Sequence, residues 1–154
     1  MRSLLTGAAA GAVGTAALNV VSYGDMAVRA RPASEMPQKI VQKAASSMGL
    51  EDLASDSEAA VNRRTGIGSL LGYANGLGVG AVYGILRPLL RRVPVAIGAL
   101  AAGAAVMALS DVPASRSGAT DTKTWSAADW TADVIPHALF GLALALSFDA
   151  LDAR

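Results

Sequence analysis

The sequence predicts an all-α fold, a polytopic membrane protein with four transmembrane helices. Three observations predict it: 53% of the 154 residues are hydrophobic, only 16% are charged, and the charges lie outside four long apolar runs. A soluble domain usually carries about 25% charged residues. Because hydrocarbon tolerates few ionised side chains, this composition indicates a chain that meets lipid.

The four uncharged runs are each bounded by charged residues and cover residues 3–24, 65–86, 93–110 and 134–148. A spanning helix needs roughly 20 apolar residues, so the first two runs are long enough by themselves, whereas the last must use flanking residues. We predict one transmembrane domain over residues 1–154, with spans at about 4–25, 65–87, 93–110 and 132–151 and a polar loop at 26–64.

Two alternatives compete with this interpretation. A soluble Ala-rich bundle would show polar residues at every third or fourth position, and the runs have no such face. The first run is otherwise a secretory signal peptide, since Arg2 precedes it and Val28-Arg29-Ala30 is similar to a cleavage site. The length of the run and the charged residues before the supposed cut favour a spanning helix.

The polar loop is predicted to contain a short amphipathic helix. In a helix, Met36, Ile40, Val41, Ala44 and Met48 fall on one face, opposite a polar face. Such a helix either lies in the lipid headgroup region or packs, solvated, against the end of the bundle.

The most specific pattern is a glycine ladder in the second span, formed by Gly68, Gly72, Gly76, Gly80 and Gly84. Residues four apart stack along one helix face, so this span has a groove without side chains and allows close backbone contact. This glycine zipper packs either against a helix of the same subunit or against another subunit of an oligomer.

Five polar residues are predicted to form an intramembrane cluster: Asn19, Asn75, Asp111, Asp133 and His137. A histidine with carboxylates at membrane depth relays protons or binds a cation, since imidazole titrates near physiological pH. The alternative role is structural, as hydrogen bonds between helices.

Proline precedes the histidine of this cluster. We expect Pro136 either in the first turn of the fourth helix or within it, where it kinks the helix and frees a carbonyl group.

The sequence argues against catalysis and cofactors. It has no Gly-x-Ser-x-Gly elbow and no His-Glu-x-x-His motif, so we expect no catalytic residue and no enzyme. Zero cysteines exclude thiolate chemistry, and one histidine among scattered aspartates lacks the spacing of metal ligands. A net charge of +1 and 5% aromatics argue against nucleic-acid binding.

The orientation signals conflict. The first and third loops together carry eight basic residues against five on the other side, which places these loops in the cytoplasm. The dense hairpin with Arg87, Arg91 and Arg92 predicts the opposite orientation.

Three segments carry a resemblance to a known family. They are Pro37-Gln-Lys-Ile-Val, the run from Gly76 to Gly84 that reads GLGVGAVYG, and Pro136-His137-Ala-Leu-Phe140-Gly141. In the order of these segments along the sequence, the chain resembles a family of small, uncharacterised four-helix inner-membrane proteins of high-GC Gram-positive bacteria. The resemblance implies a multi-pass protein of the bacterial inner membrane and carries no established activity.

We therefore expect a non-catalytic membrane component or accessory subunit. The alternative is a small oligomeric channel or transporter for protons or a small solute that uses His137. The expected partners are the lipid bilayer and either further copies of the chain or another membrane protein.

Overall fold

The computed structural model describes residues 1–153, and in this range it contains six α-helices and no strand. The helices are α1 (Arg2–Arg29), α2 (Met36–Ser47), α3 (Glu51–Ala54), α4 (Glu58–Leu86), α5 (Val95–Arg116) and α6 (Ala127–Asp152). Four of them, α1, α4, α5 and α6, are long and apolar enough to cross a membrane.

The four long helices extend beyond the uncharged runs. At 1.5 Å per residue, α1 with its 28 residues is about 42 Å long. This exceeds the roughly 30 Å of hydrocarbon in a bilayer, so its ends reach the polar regions. Exposed apolar side chains cover the outside of these helices, which is compatible with a multi-pass membrane protein.

Capping residues determine where two of the helices begin. Ser57 accepts a hydrogen bond from the Ala60 amide at 3.2 Å, and α4 starts there. Ser126 and Asp129 form a reciprocal capping box, so α6 starts at Ala127. Pro136 consequently lies well inside α6, and the expectation that it occupies the first turn is wrong.

Contacts between glycines and neighbouring helices define the directions of the bundle. Gly84 lies beside Gly7 and Gly76 lies beside Thr15, so α1 and α4 run antiparallel. The helix pair α5 and α6 is also antiparallel, with Gly103 beside the carbonyl group of His137. The helix α1 packs extensively against both α4 and α6, whereas α4 and α5 touch much less.

The core lies where α1, α4, α5 and α6 meet. Its largest fully buried side chains are Phe140, Leu144 and Phe148, all from α6. The ring of Phe148 contacts Tyr83 of α4 edge-on, with 5.5 Å between ring centroids. Large side chains from one helix therefore fill the space between helices that are otherwise lined by small residues.

The first loop is folded against the bundle. Val41 and Ala45 of α2 are buried, and Pro37 contacts α4 at Gly68. Gly49 lies just after the end of α2 and has a φ of +68°, a conformation that glycine adopts without strain.

Candidate functional site

The glycines of α4 differ in what they contact. A Cβ atom at Gly80 would lie 2.7 Å from the Cα atom of Gly11, and one at Gly84 would lie 2.9 Å from the Cα atom of Gly7. Both distances are shorter than any ordinary contact, and the opposing atoms belong to the backbone. No side chain fits at either position without separating α1 from α4.

Two further glycines of the ladder are also covered. A Cβ atom at Gly76 would overlap Oγ1 of Thr15, which itself donates a 2.9 Å hydrogen bond to the Gly11 carbonyl. A Cβ atom at Gly68 would lie 2.8 Å from Cβ of Pro37 in α2. A Cβ atom at Gly72, by contrast, would have no neighbouring element within 4 Å, so the contact along the ladder is interrupted there.

A second close interface joins α5 and α6. A Cβ atom at Gly103 would lie 2.7 Å from the carbonyl oxygen of His137, and one at Gly141 would lie 2.8 Å from the amide nitrogen of Gly103. Ala99, Gly103 and Gly141 thus form a small-residue contact that includes the backbone carbonyl group of His137.

Asp133 and His137 are brought together on α6. Nδ1 of His137 lies 2.7 Å from the carbonyl oxygen of Asp133 and 3.5 Å from its Oδ1 atom. Because a carbonyl oxygen only accepts, Nδ1 carries the hydrogen, and Nε2 is the acceptor of the neutral ring. Pro136 lacks an N–H group, so the carbonyl of Ala132 loses its usual helical donor. The imidazole donates instead to the next carbonyl, that of Asp133.

The carboxyl group of Asp133 is only partly satisfied. Its side chain is 17% exposed, that of His137 is 14% exposed, and Oδ2 of Asp133 is a buried atom without a hydrogen-bond partner in residues 1–153. Asp111, in the C-terminal part of α5, lies close enough to this carboxyl group to interact with it. The α5–α6 interface therefore holds two carboxyl groups and one imidazole.

The two asparagines do not join this group. Asn75 lines an open groove of about 230 Å³ between α4 and α5, together with Ala74, Gly78, Val79, Val82, Ala105 and Leu109. Asn19 is half-buried on α1. Within residues 1–153, no side-chain hydrogen bond links either amide to Asp133 or His137.

Sequence reasoning missed the role of Arg64, which it counted only as a basic residue of the first loop. Its side chain lies within the fold with 4% exposure, and Nη1 donates to the carbonyl oxygens of Leu53 at 2.8 Å and Ser55 at 2.6 Å. Gln42 of α2 donates to the next carbonyl, that of Ala54, at 3.1 Å. The sequence offers one weak signal: the residues three and four positions before and after Arg64 are apolar or small, which does not identify a partner. They are Ala60, Val61, Ile67 and Gly68.

The loop end of the bundle has further polar contacts. Asp25 accepts hydrogen bonds from Nε of Arg29 at 2.6 Å and from Nε of Arg31 at 2.5 Å. Trp125 and Trp130 contact each other with ring centroids 5.0 Å apart. These contacts tie the first and third loops to the helix ends.

The described part of the chain contains no group of three His, Cys, Asp or Glu side chains that could hold a metal ion. No family model, no curated protein and no solved structure matches the chain. The α4–α5 groove and the Asp133–His137 pair are the two features of the described residues from which a function can be proposed.

Proposed function

We propose that this chain is a non-catalytic component of a membrane complex, an accessory subunit whose α4–α5 groove binds a transmembrane helix of a partner protein. One observation carries this proposal: the amide of Asn75 lies in a groove of small and apolar side chains that opens to the outside of the bundle. The small side chains of the groove and its single amide favour a helix as the occupant.

The chemistry of the groove suits a helix at membrane depth. Ala74, Gly78 and Ala105 present almost no side chain, so another helix can approach the backbone closely. Lipid tails offer no hydrogen bond to the Asn75 amide, whereas a polar side chain on a neighbouring helix does. A helix in the groove would thus fill the space beside the small residues and give the Asn75 amide a hydrogen-bond partner.

The other faces of α4 are less suited to a partner. Gly76, Gly80 and Gly84 are covered by α1, and Gly68 is covered by α2. Four of the five ladder glycines thus contact neighbouring helices of the same chain. Leu70 and Leu77 are exposed on other parts of α4, but the surface toward α5 is the one on which a groove and a polar side chain occur together.

Purification from the native membrane tests the proposal. We expect tagged full-length protein, extracted in gentle detergent, to retain a different membrane protein at a fixed ratio, measured by the mass of the complex. Asn75→Leu is expected to lose that protein because leucine removes the hydrogen bond and fills part of the groove.

Asn62→Leu is the matched control, since Asn62 is exposed on the same helix and lies outside the groove. It should keep the partner. Retention of nothing but copies of the chain, or equal retention by the Asn75→Leu variant, contradicts the accessory role.

A second candidate function is the transport of protons or a small solute through an oligomer. It is favoured by the buried, unpartnered Oδ2 atom of Asp133 beside the imidazole of His137. An uncompensated carboxylate at membrane depth is unfavourable, which is why such groups commonly bind protons or ions.

His137→Gln tests this second candidate. Glutamine retains a hydrogen-bond donor for the Asp133 carbonyl but does not titrate, so we expect an intact bundle and the loss of a pH-dependent flux in liposomes. If the variant unfolds, His137 has a structural role and the transport hypothesis loses its main support. If the variant folds and the pH-dependent flux persists, His137 does not carry the flux.

We also propose that the membrane is the inner membrane of a bacterium and that the chain is a member of the four-helix family described above. The resemblance of the three segments supports this assignment. Fractionation of the native host tests it, with inner-membrane enzymes as markers.

A further inference from the structure

The turn between α4 and α5 exposes apolar and cationic side chains next to each other. Leu89 is 76% exposed and Leu90 is 48% exposed, and the following Arg91 and Arg92 are also exposed. We refer to these four residues as the hairpin surface.

A third arginine holds the turn in place. Nη1 of Arg87 donates to the carbonyl oxygen of Val93 at 2.8 Å and to that of Leu90 at 3.2 Å. Its Nε atom lies 3.7 Å from Oδ1 of Asp149, and its side chain is only 17% exposed. Arg87 is therefore engaged within the chain and supports the backbone that carries the hairpin surface.

Arg91 and Arg92 have no such partner. Within residues 1–153, neither forms a salt bridge, whereas Arg29, Arg31 and Arg87 each pair with an aspartate. Among the described residues, therefore, their guanidinium groups have no carboxylate partner.

The hairpin surface lies at one end of the bundle, where excess positive charge accumulates. The start of α1 reaches the same end, because the Ser3 carbonyl lies beside Gly84, and this places Arg2 nearby. Within residues 1–153, this end carries four arginines, at positions 2, 87, 91 and 92, and two aspartates, at positions 149 and 152. With α4 and α5 crossing the bilayer, such an end lies at the headgroups.

We propose that the hairpin surface binds anionic phospholipids, with Leu89 and Leu90 at the acyl boundary and Arg91 and Arg92 on the headgroup phosphates. Guanidinium groups bind phosphate oxygens in a bidentate manner, and basic residues next to a spanning helix are attracted to anionic lipid surfaces. The inference uses the membrane placement stated under the proposed function but is independent of the partner protein.

Native mass spectrometry of the full chain in detergent tests this inference, with phosphatidylglycerol and phosphatidylcholine as the two lipid probes. The unmodified chain is expected to retain phosphatidylglycerol more strongly. The double variant Arg91→Gln with Arg92→Gln should weaken that retention by about fivefold for each arginine and leave phosphatidylcholine unaffected. Arg91→Lys with Arg92→Lys, which keeps the charge, should retain most of the preference.

The matched control is Arg63→Gln with Arg116→Gln, which removes two exposed arginines from the opposite end of the bundle. It should bind phosphatidylglycerol like the unmodified chain, with an unchanged helical spectrum. Equal retention of both lipids by the unmodified chain, equal loss in both glutamine variants, or displacement of the lipid by inorganic phosphate would overturn the inference. Failure to recover a partner protein would refute the accessory role and leave these outcomes unchanged.

Discussion

The helix α4 presents two contrasting faces to its neighbours. Toward α1, glycines at 76, 80 and 84 bring the two backbones so close that an added Cβ atom would overlap them. Toward α5, a Cβ atom added at Gly78 would have no neighbouring element within 4 Å, and Asn75 lines an open groove. Small residues alone therefore do not define an interface, because the same residue type is tightly covered on one face and uncovered on the other.

The comparison also separates two uses of polar groups. Thr15 hydrogen-bonds within the α1–α4 interface to the Gly11 carbonyl, so its hydroxyl is satisfied inside the chain. The amide of Asn75 has no side-chain hydrogen bond within residues 1–153. A satisfied polar group stabilises the bundle, whereas an unsatisfied one at an open groove is available to another molecule.

The largest expected effect comes from breaking the covered face. Gly80→Leu should destabilise the bundle by about 3 kcal/mol, because its side chain meets the backbone of Gly7 and Gly11, which cannot rotate away. Thermal unfolding in detergent, followed by circular dichroism, measures the loss.

Gly78→Leu is the matched control for this change, two residues away on the same helix. Its side chain meets open space, so the isolated chain should remain folded, while the groove toward the partner becomes blocked. Equal destabilisation by both variants would mean that helix propensity rather than packing decides stability.

A smaller effect is expected where α4 meets the first loop, because Arg64 is buried there and its neighbour Arg63 is exposed. Arg64→Ala leaves the carbonyl groups of Leu53 and Ser55 without their donor and should cost about 2 to 3 kcal/mol. The exposed Arg63 is the control, and Arg63→Ala should have little effect. The rate of limited proteolysis within residues 50–57 measures how far this segment detaches from α4. Equal cleavage rates for the two variants would argue against the role of Arg64.

The smallest effect on stability is expected from a substitution on the open face of α4, toward α5. Asn75→Leu should change the stability of the isolated chain by no more than about 1 kcal/mol, because the amide makes no side-chain hydrogen bond in residues 1–153. The same unfolding measurement applies. A large destabilisation would show that Asn75 supports the bundle itself and would weaken the case for a partner helix.

The candidate site could be predicted only in part. Asp133 and His137 share a face because they are four residues apart on a helix, and the structure brings them into contact. Asn75 was grouped with them from its depth in the second span, yet it faces α5 through the groove. Depth follows from position in the sequence, whereas the direction of a side chain around the bundle depends on how the helices are rotated.

The number of long apolar helices follows from the sequence alone, because charge is excluded from hydrocarbon and the charges bound the apolar part of each helix. Which neighbour each small residue meets depends on the folded arrangement: α1 for Gly80, Pro37 for Gly68 and open space for Gly72. It also decided that Arg64 is buried against the first loop. The physical reason is that glycine and alanine contribute the same pattern to any close helix contact, so they specify proximity but not the partner.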